Sequence, residues 1–96
     1  MTTSDIYNKN KGQIKAILSR YRVTNPRIFG SLLHGTEQAI NDIDILVDPL
    51  PGITLLELGG LQDELETLLG IHVDLVTPGD LPNTFRETVT SQARPI

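Results

Sequence analysis

Apolar residues recur at the spacing of a buried helical face in two separate stretches of the chain. The first stretch predicts a helix that Ser4 caps and that is irregular over residues 8–12, where apolar residues are scarce. Its buried face is predicted to hold four side chains, those of Ile14, Ile17, Leu18 and Tyr21. This section ends at Asn25-Pro26, because the residue before a proline avoids helical backbone.

The second stretch predicts a long helix that begins at a capping box over residues 54–57 and ends at Gly70. Its core-facing side is predicted to hold five leucines, Leu58, Leu61, Leu65, Leu68 and Leu69. Gly59 and Gly60 lie inside this helix, where each costs about 1 kcal/mol relative to alanine. The glycine pair therefore indicates either a close packing point or a kink.

Alternation of apolar and polar residues predicts strands between the helices. Residues 27–29 predict a short strand that Gly30 stops. Two further strands alternate between an apolar and a polar face: Ile43, Ile45 and Val47 against Asp42, Asp44 and Leu46, then Ile71, Val73 and Leu75 against His72, Asp74 and Val76. Asp48 is assigned to a turn at the end of its strand, on the Ile43 side.

A last short helix is predicted around residues 82–90, with Phe85 and Val89 buried. The order of elements is then helix, strand, short turn, strand, helix, strand, helix. This order predicts an α/β (α+β) fold in which helices flank a small mixed β-sheet. We predict a single domain over residues 1–96.

Composition restricts the classes of protein to which the chain can belong. Its hydrophobic content of 39% excludes a disordered tail, and no apolar run approaches the roughly 20 residues that span a bilayer. The polar amino terminus does not resemble a signal peptide, and without cysteine there is no disulfide framework, so we expect a cytoplasmic protein. The net charge of -4 argues against a general nucleic-acid binder.

Two aspartates on the second predicted strand are candidate metal ligands. Asp42 and Asp44 point to the same face, with Cα atoms roughly 6.6 Å apart. Adjacent carboxylates repel each other, and a divalent cation between them removes the conflict. Ligand sets made only of oxygen suit Mg²⁺. The alternative is that both side chains simply face solvent on an open sheet.

Gly30-Ser31 and Asp74 extend this pattern. A glycine lets the backbone approach a phosphate, and the serine adds a hydroxyl donor, although Gly-Ser is also a common turn. If the first two strands are antiparallel neighbours, phosphate donors come to lie beside the carboxylates. If a helical crossover joins the second and third strands, Asp74 approaches Asp44 and can help to deprotonate a hydroxyl, as in two-metal phosphoryl transfer.

Together these residues resemble the DNA polymerase beta-like nucleotidyltransferase superfamily, and more closely the minimal nucleotidyltransferases of prokaryotes. The resemblance covers nearly the whole chain and rests on four segments, RYRV at 20–23, NPR at 25–27, IFGS at 28–31 and DIDILVD at 42–48. It implies that Gly30 and Ser31 hold the triphosphate of ATP. It further implies that Asp42 and Asp44 bind two Mg²⁺ ions and that Asp74 completes the catalytic one.

The resemblance also implies a partner. Minimal nucleotidyltransferases act as antitoxins of helical HEPN ribonuclease toxins, so this chain is expected to transfer AMP from ATP to a toxin tyrosine hydroxyl. The alternative is an antitoxin that neutralises its partner by binding alone, with a vestigial nucleotide site. Transfer to a small-molecule hydroxyl is disfavoured because the chain has no room for a substrate domain.

Two residues depart from the pattern of the family. His34 stands where many relatives have an arginine before the glycine that closes the turn, and Asn41 stands where a serine commonly precedes the first aspartate. If the arginine contacts phosphate, a mostly neutral histidine weakens that contact. Neither change removes a metal ligand.

Overall fold

A computed structural model describes residues 2–30, 32 and 42–96 of the chain. The described residues form three α-helices: α1 (Thr3–Ser19), α2 (Leu55–Leu69) and α3 (Asn83–Gln92). They also form four strands: β1 (Val23–Phe29), β2 (Asp42–Pro49), β3 (His72–Val76) and β4 (Arg94–Pro95). A single 3₁₀ turn, Pro78–Asp80, follows β3. No helix among these residues is long and apolar enough to cross a membrane.

The strands form one mixed sheet in the order β3-β2-β1-β4. Strand β1 pairs antiparallel with β2 on one side and with β4 on the other, whereas β2 and β3 are parallel and α2 lies between them in the chain. The prediction of a small mixed sheet with helices is therefore confirmed, as are the two strand pairings on which the predicted site depends.

One face of the sheet carries the main core. Helices α1 and α2 contribute to the same buried cluster as strands β1, β2 and β3, and α1 also contacts α2. The cluster consists of Tyr7, Ile14, Leu18, Ile28, Ile43, Ile45, Val47, Leu61, Leu65, Leu69 and Val73. Burying a large aliphatic side chain stabilises the fold by about 1.5–3 kcal/mol, so this face supplies most of the stability.

The first helix begins earlier than predicted. Thr2, rather than Ser4, is the cap: its hydroxyl accepts the backbone N–H of Asp5, and the Asp5 carboxylate accepts the backbone N–H of Thr2, both at 3.1 Å. The helix runs unbroken through residues 8–12, where the Asn10 amide donates to the carbonyl of Ile6 at 2.8 Å. The predicted irregularity is wrong, because the buried Tyr7 anchors the helix before that polar stretch.

The second helix matches its predicted ends. Thr54 caps it by accepting the N–H of Glu57 at 3.1 Å, and Gly70 ends it in the left-handed conformation at φ 70°. A Cβ at Gly60 would lie 3.7 Å from the Tyr21 hydroxyl, and one at Gly59 would meet no described atom within 4 Å. Close packing therefore does not require either glycine.

Strand β1 begins before the predicted strand and carries an irregularity. The pairing register with β2 shifts between Thr24 and Arg27, and Asn25 adopts a positive φ of 52°. Arg27 is only 8% exposed, and its guanidinium donates to the carboxylate of Asp48 at 3.0 Å. Asp48 thus lies on the Asp42 side of β2 and not, as predicted, on the Ile43 side, because residues an even number apart on a strand share a face.

The Asp42 side of the sheet is covered only in part. Leu46 and Leu81 are buried outside the main core, and the 3₁₀ turn before Leu81 contacts β2. Helix α3 follows this turn, but Phe85 on it is 46% exposed. The predicted burial of Phe85 is wrong, because the turn, rather than α3, covers this part of β2.

Candidate active site

The pairing of the strands brings four of the five predicted site residues together at one end of the sheet. Phe29, which precedes Gly30, lies opposite Asp44 on the antiparallel side, and Asp74 lies opposite Asp44 on the parallel side. Asp42 lies two residues before Asp44 on β2 and is paired with His72 of β3. Ser31, the fifth predicted residue, lies outside the described residues, as do His34 and Asn41.

Gly30 is required here for two independent reasons. Its φ is 79°, a backbone conformation that residues with a Cβ adopt only with strain. A Cβ built on Gly30 would also collide with the carboxylate of Asp44, whose Cγ would be 3.1 Å away. The end of β1 therefore approaches the Asp44 carboxylate so closely that no side chain can stand between them.

The carboxylates of the site interact unfavourably when both are ionised. Burial, the side-chain contact with Asp74, and the charges of Asp74 and Asp42 together raise the pKa of Asp44 to about 6, whereas the charge of His72 opposes the shift. Two carboxyl groups in contact are stable only if they share a proton or a cation lies beside them. A cation bound beside Asp44 and Asp74 would remove this repulsion.

The donor set fits Mg²⁺ chemically, since Asp42, Asp44 and Asp74 offer only oxygen ligands. Asp44 and Asp74 are in contact, and their mutual repulsion contributes to the raised pKa of Asp44. A bound cation would relieve that repulsion. Within residues 2–30, 32 and 42–96, no three acidic or histidine side chains surround a single point. Asp42, Asp44 and Asp74 could therefore supply ligands, and Asp44 and Asp74 are the pair that the structure brings into contact.

His72 contacts Asp74 and Glu66 contacts His72, although the sequence pattern is weak evidence for either contact. His72 Nε2 lies 2.8 Å from Asp74 Oδ1, and His72 Nδ1 lies 2.8 Å from Glu66 Oε2. The hydrogen bond to Asp74 raises the pKa of His72. The sequence pattern predicts that His72 shares a face with Asp74 and favours a surface position for it. Glu66 belongs to no apolar or polar periodicity that would predict its contact with β3 from α2.

Comparison with known proteins agrees with this geometry. The family model of the polymerase beta nucleotidyltransferases matches residues 12–96. The protein adenylyltransferase MntA of Thermococcus cleftensis is 34% identical over 89 residues, which cover 93% of this chain and 90% of that protein.

Solved structures are similar over nearly the same range. A structure assigned as a minimal nucleotidyltransferase is 33% identical, covers 100% of this chain and 97% of its own, and has a TM-score of 0.81. A toxin–antitoxin structure with AMP-PNP is 25% identical, covers 90% of this chain and 71% of its own, and has a TM-score of 0.75. With its Gly30 turn, its paired strand carboxylates and these matches, the chain belongs to the polymerase beta nucleotidyltransferase family.

Proposed function

We propose that this protein transfers AMP from ATP to a hydroxyl group, that of a tyrosine, on a partner HEPN ribonuclease toxin, and that it acts as the antitoxin of that partner. The observation that carries the proposal is the contact between Asp44 and Asp74, with Asp42 two residues away on the same face of β2 and Gly30 against Asp44. The adenylyltransferase relative and the toxin–antitoxin structure with AMP-PNP support the same reaction class.

The proposed reaction forms one bond and breaks one. The acceptor hydroxyl oxygen bonds to the α-phosphorus of ATP while the bond from that phosphorus to the bridging oxygen of pyrophosphate breaks. Pyrophosphate leaves with the electron pair, and the hydroxyl proton passes to the Asp74 carboxylate. Asp74 is suited to this role because it is half-exposed, at 50% of its side chain, at the open edge of the sheet.

Mg²⁺ and the nucleotide are assigned to neighbouring residues. Asp42 and Asp44 would hold two Mg²⁺ ions, with Asp74 completing the catalytic one. When bound, the ions would neutralise charge on the phosphates and orient the reacting oxygens. Gly30 and Ser31 would hold the triphosphate, since the close approach of the Gly30 backbone to Asp44 brings phosphate donors to the metal ligands.

The acceptor surface would come largely from the partner. The described part of the chain leaves large apolar side chains exposed, and Phe85 on α3 is one of them. The protein carries twelve acidic against eight basic residues, so its surface suits a basic partner. Partner binding and AMP transfer are separable functions and can be tested separately.

The test is to incubate the protein with its paired toxin, Mg²⁺ and ATP labelled in the α-phosphate. The wild type is expected to label the toxin, and the Asp42→Asn/Asp44→Asn double variant is expected to bind the toxin without labelling it or relieving its toxicity. If the folded double variant still neutralises the toxin, binding alone is the function. The exposed Asp63→Asn substitution on α2 serves as a control for the loss of a carboxylate away from the site and should keep full activity.

A further inference from the structure

Three side chains form a continuous series of polar contacts from helix α2 to the proposed base. Glu66, on the last turn of α2, accepts the backbone N–H of Val73 at 3.0 Å, and the same oxygen, Oε2, lies 2.8 Å from His72 Nδ1. His72 Nε2 in turn contacts Asp74 Oδ1 at 2.8 Å. We call Glu66, His72 and Asp74 the carboxylate–imidazole chain.

The stability of the fold does not account for this arrangement. The side chains of Glu66, His72 and Asp74 are 30%, 50% and 50% exposed. Ion pairs at this exposure contribute only about 0–1 kcal/mol. A geometric consequence is clearer: Glu66 is tied to the β3 backbone through Val73, so its contact with His72 Nδ1 favours the ring orientation in which Nε2 faces Asp74.

We propose that Glu66 and His72 are positioning residues, which hold the Asp74 carboxylate in one orientation beside Asp44 for the acceptor hydroxyl. This inference rests on the proposed function. Asp74 lies on an edge strand and is half-exposed, so without His72 its side chain would be free to populate several rotamers. With one oxygen held by His72 and the side chain in contact with Asp44, a single orientation is selected.

A base that is held in place contributes to the rate and not to nucleotide binding. Loss of a group that orients a reactive side chain typically costs on the order of 10–100-fold in activity. We expect this loss in kcat, with the KM for ATP unchanged, since the nucleotide is assigned to the Gly30 turn. A residue that only stabilised the fold would leave both constants unchanged in the fraction of protein that remains folded.

The test uses substitutions that remove one contact at a time. His72→Phe removes both contacts, whereas His72→Gln keeps an N–H donor near the position of Nε2 and so preserves the bond to Asp74. Glu66→Ala removes the anchor, and Glu66→Gln keeps an acceptor. Glu64→Gln is the matched control, because Glu64 lies on the same helix but bonds Arg20 and Tyr21 instead, each at 2.6 Å.

Two measurements are made on each variant, at one fixed pH. Steady-state transfer to the paired toxin gives kcat and the KM for ATP. The Hα–Hβ couplings of Asp74, measured by NMR on the metal-free protein, report whether its side chain occupies one rotamer or several. We expect His72→Phe and Glu66→Ala to lower kcat 10–100-fold and to average the couplings. We expect His72→Gln, Glu66→Gln and Glu64→Gln to stay close to wild type.

Three outcomes would overturn the proposal. In the first, His72→Phe keeps kcat within twofold of wild type. In the second, it keeps the wild-type couplings of Asp74. In the third, His72→Gln is as impaired as His72→Phe, which would mean that the ring itself, and not its hydrogen bond, is needed. If the wild type labels no toxin, the proposed function fails instead, and the couplings alone decide whether His72 orients Asp74.

Discussion

The two faces of strand β2 make opposite contributions to the molecule. On one face Ile43, Ile45 and Val47 are completely buried beneath α1 and α2. On the other, Asp42 and Asp44 remain partly open, and Asp44 is in contact with a second carboxylate. The six residues 42–47 thus supply both the centre of the core and the centre of the candidate site.

The difference between the faces shows how a small domain can hold an unfavourable cluster of charges. The acidic face opposes folding, because burial and the carboxylates of Asp42 and Asp74 raise the pKa of Asp44. The apolar face compensates, since the same backbone is anchored by the core. The site can therefore be pre-formed without a cation, with backbone positions set by hydrophobic packing and not by the ligands themselves.

The largest expected effect is on the apolar face. Ile45→Ala should lower the free energy of unfolding by about 2–5 kcal/mol, because it leaves a cavity at a position with no solvent exposure. That is a large part of the roughly 5–15 kcal/mol that stabilises a small domain. Urea unfolding followed by circular dichroism measures the change.

The control for this prediction is Leu56→Ala. Leu56 is 86% exposed, and its truncation should change the unfolding free energy by no more than about 0.5 kcal/mol. Equal losses for Ile45→Ala and Leu56→Ala would contradict the assignment of the core to one face of β2.

The next prediction compares alanine substitutions at two glycines, of which only one lies at the candidate site. Gly30 and Gly70 both have positive φ, 79° and 70°, so alanine at either position should cost about 1–2 kcal/mol of stability. A Cβ at Gly70 meets no described atom within 4 Å, whereas one at Gly30 collides with the Asp44 carboxylate. Only Gly30→Ala should therefore also reduce AMP transfer, by about 10-fold or more.

Thermal unfolding and the labelling assay, applied to both glycine variants, test this prediction. Gly70→Ala is the reference: its loss of AMP transfer measures the effect of destabilisation alone. If the two variants lose activity equally, the close approach of Gly30 to Asp44 has no catalytic importance.

Much of this arrangement could be predicted from the sequence, for a physical reason. Alternation places Asp42 and Asp44 on one face whatever the tertiary context, because the period of a strand is fixed by its backbone. The leucine spacing of α2 likewise predicts the crossover that brings Asp74 beside Asp44, which the structure confirms. The sequence therefore predicts an element correctly where the spacing of its apolar residues alone decides which of its faces is buried.

Contacts between distant parts of the chain could not be predicted in this way. The bond from Glu66 to Val73 depends on how the end of α2 sits over β3, and no spacing along the chain encodes it. Phe85 was expected to be buried because it is large and apolar, but the turn ending at Leu81 covers β2 first. The cap of α1 is by contrast a local feature: Thr2 and Asp5 form a reciprocal pair of hydrogen bonds within one turn, which selects Thr2 over Ser4.

The smallest expected effect is the pH dependence of the acidic face, measured in the metal-free protein. The folded pKa of Asp44, about 6, exceeds its ordinary value of 3.8, so the folded state holds the proton more tightly. Stability from this group is therefore present below pH 4 and is lost as the pH rises through 6. The Asp44→Asn variant has no carboxylate to ionise at this position and so does not lose this stability as the pH rises. Its free energy of unfolding at pH 7 should exceed that of the wild type by an amount on the order of 1 kcal/mol after solvent screening. Urea unfolding in EDTA at pH 4.5 and 7 measures the difference in unfolding free energy between Asp44→Asn and wild type. Asp63→Asn is the exposed control. If this difference does not increase from pH 4.5 to pH 7, the acidic face does not oppose folding.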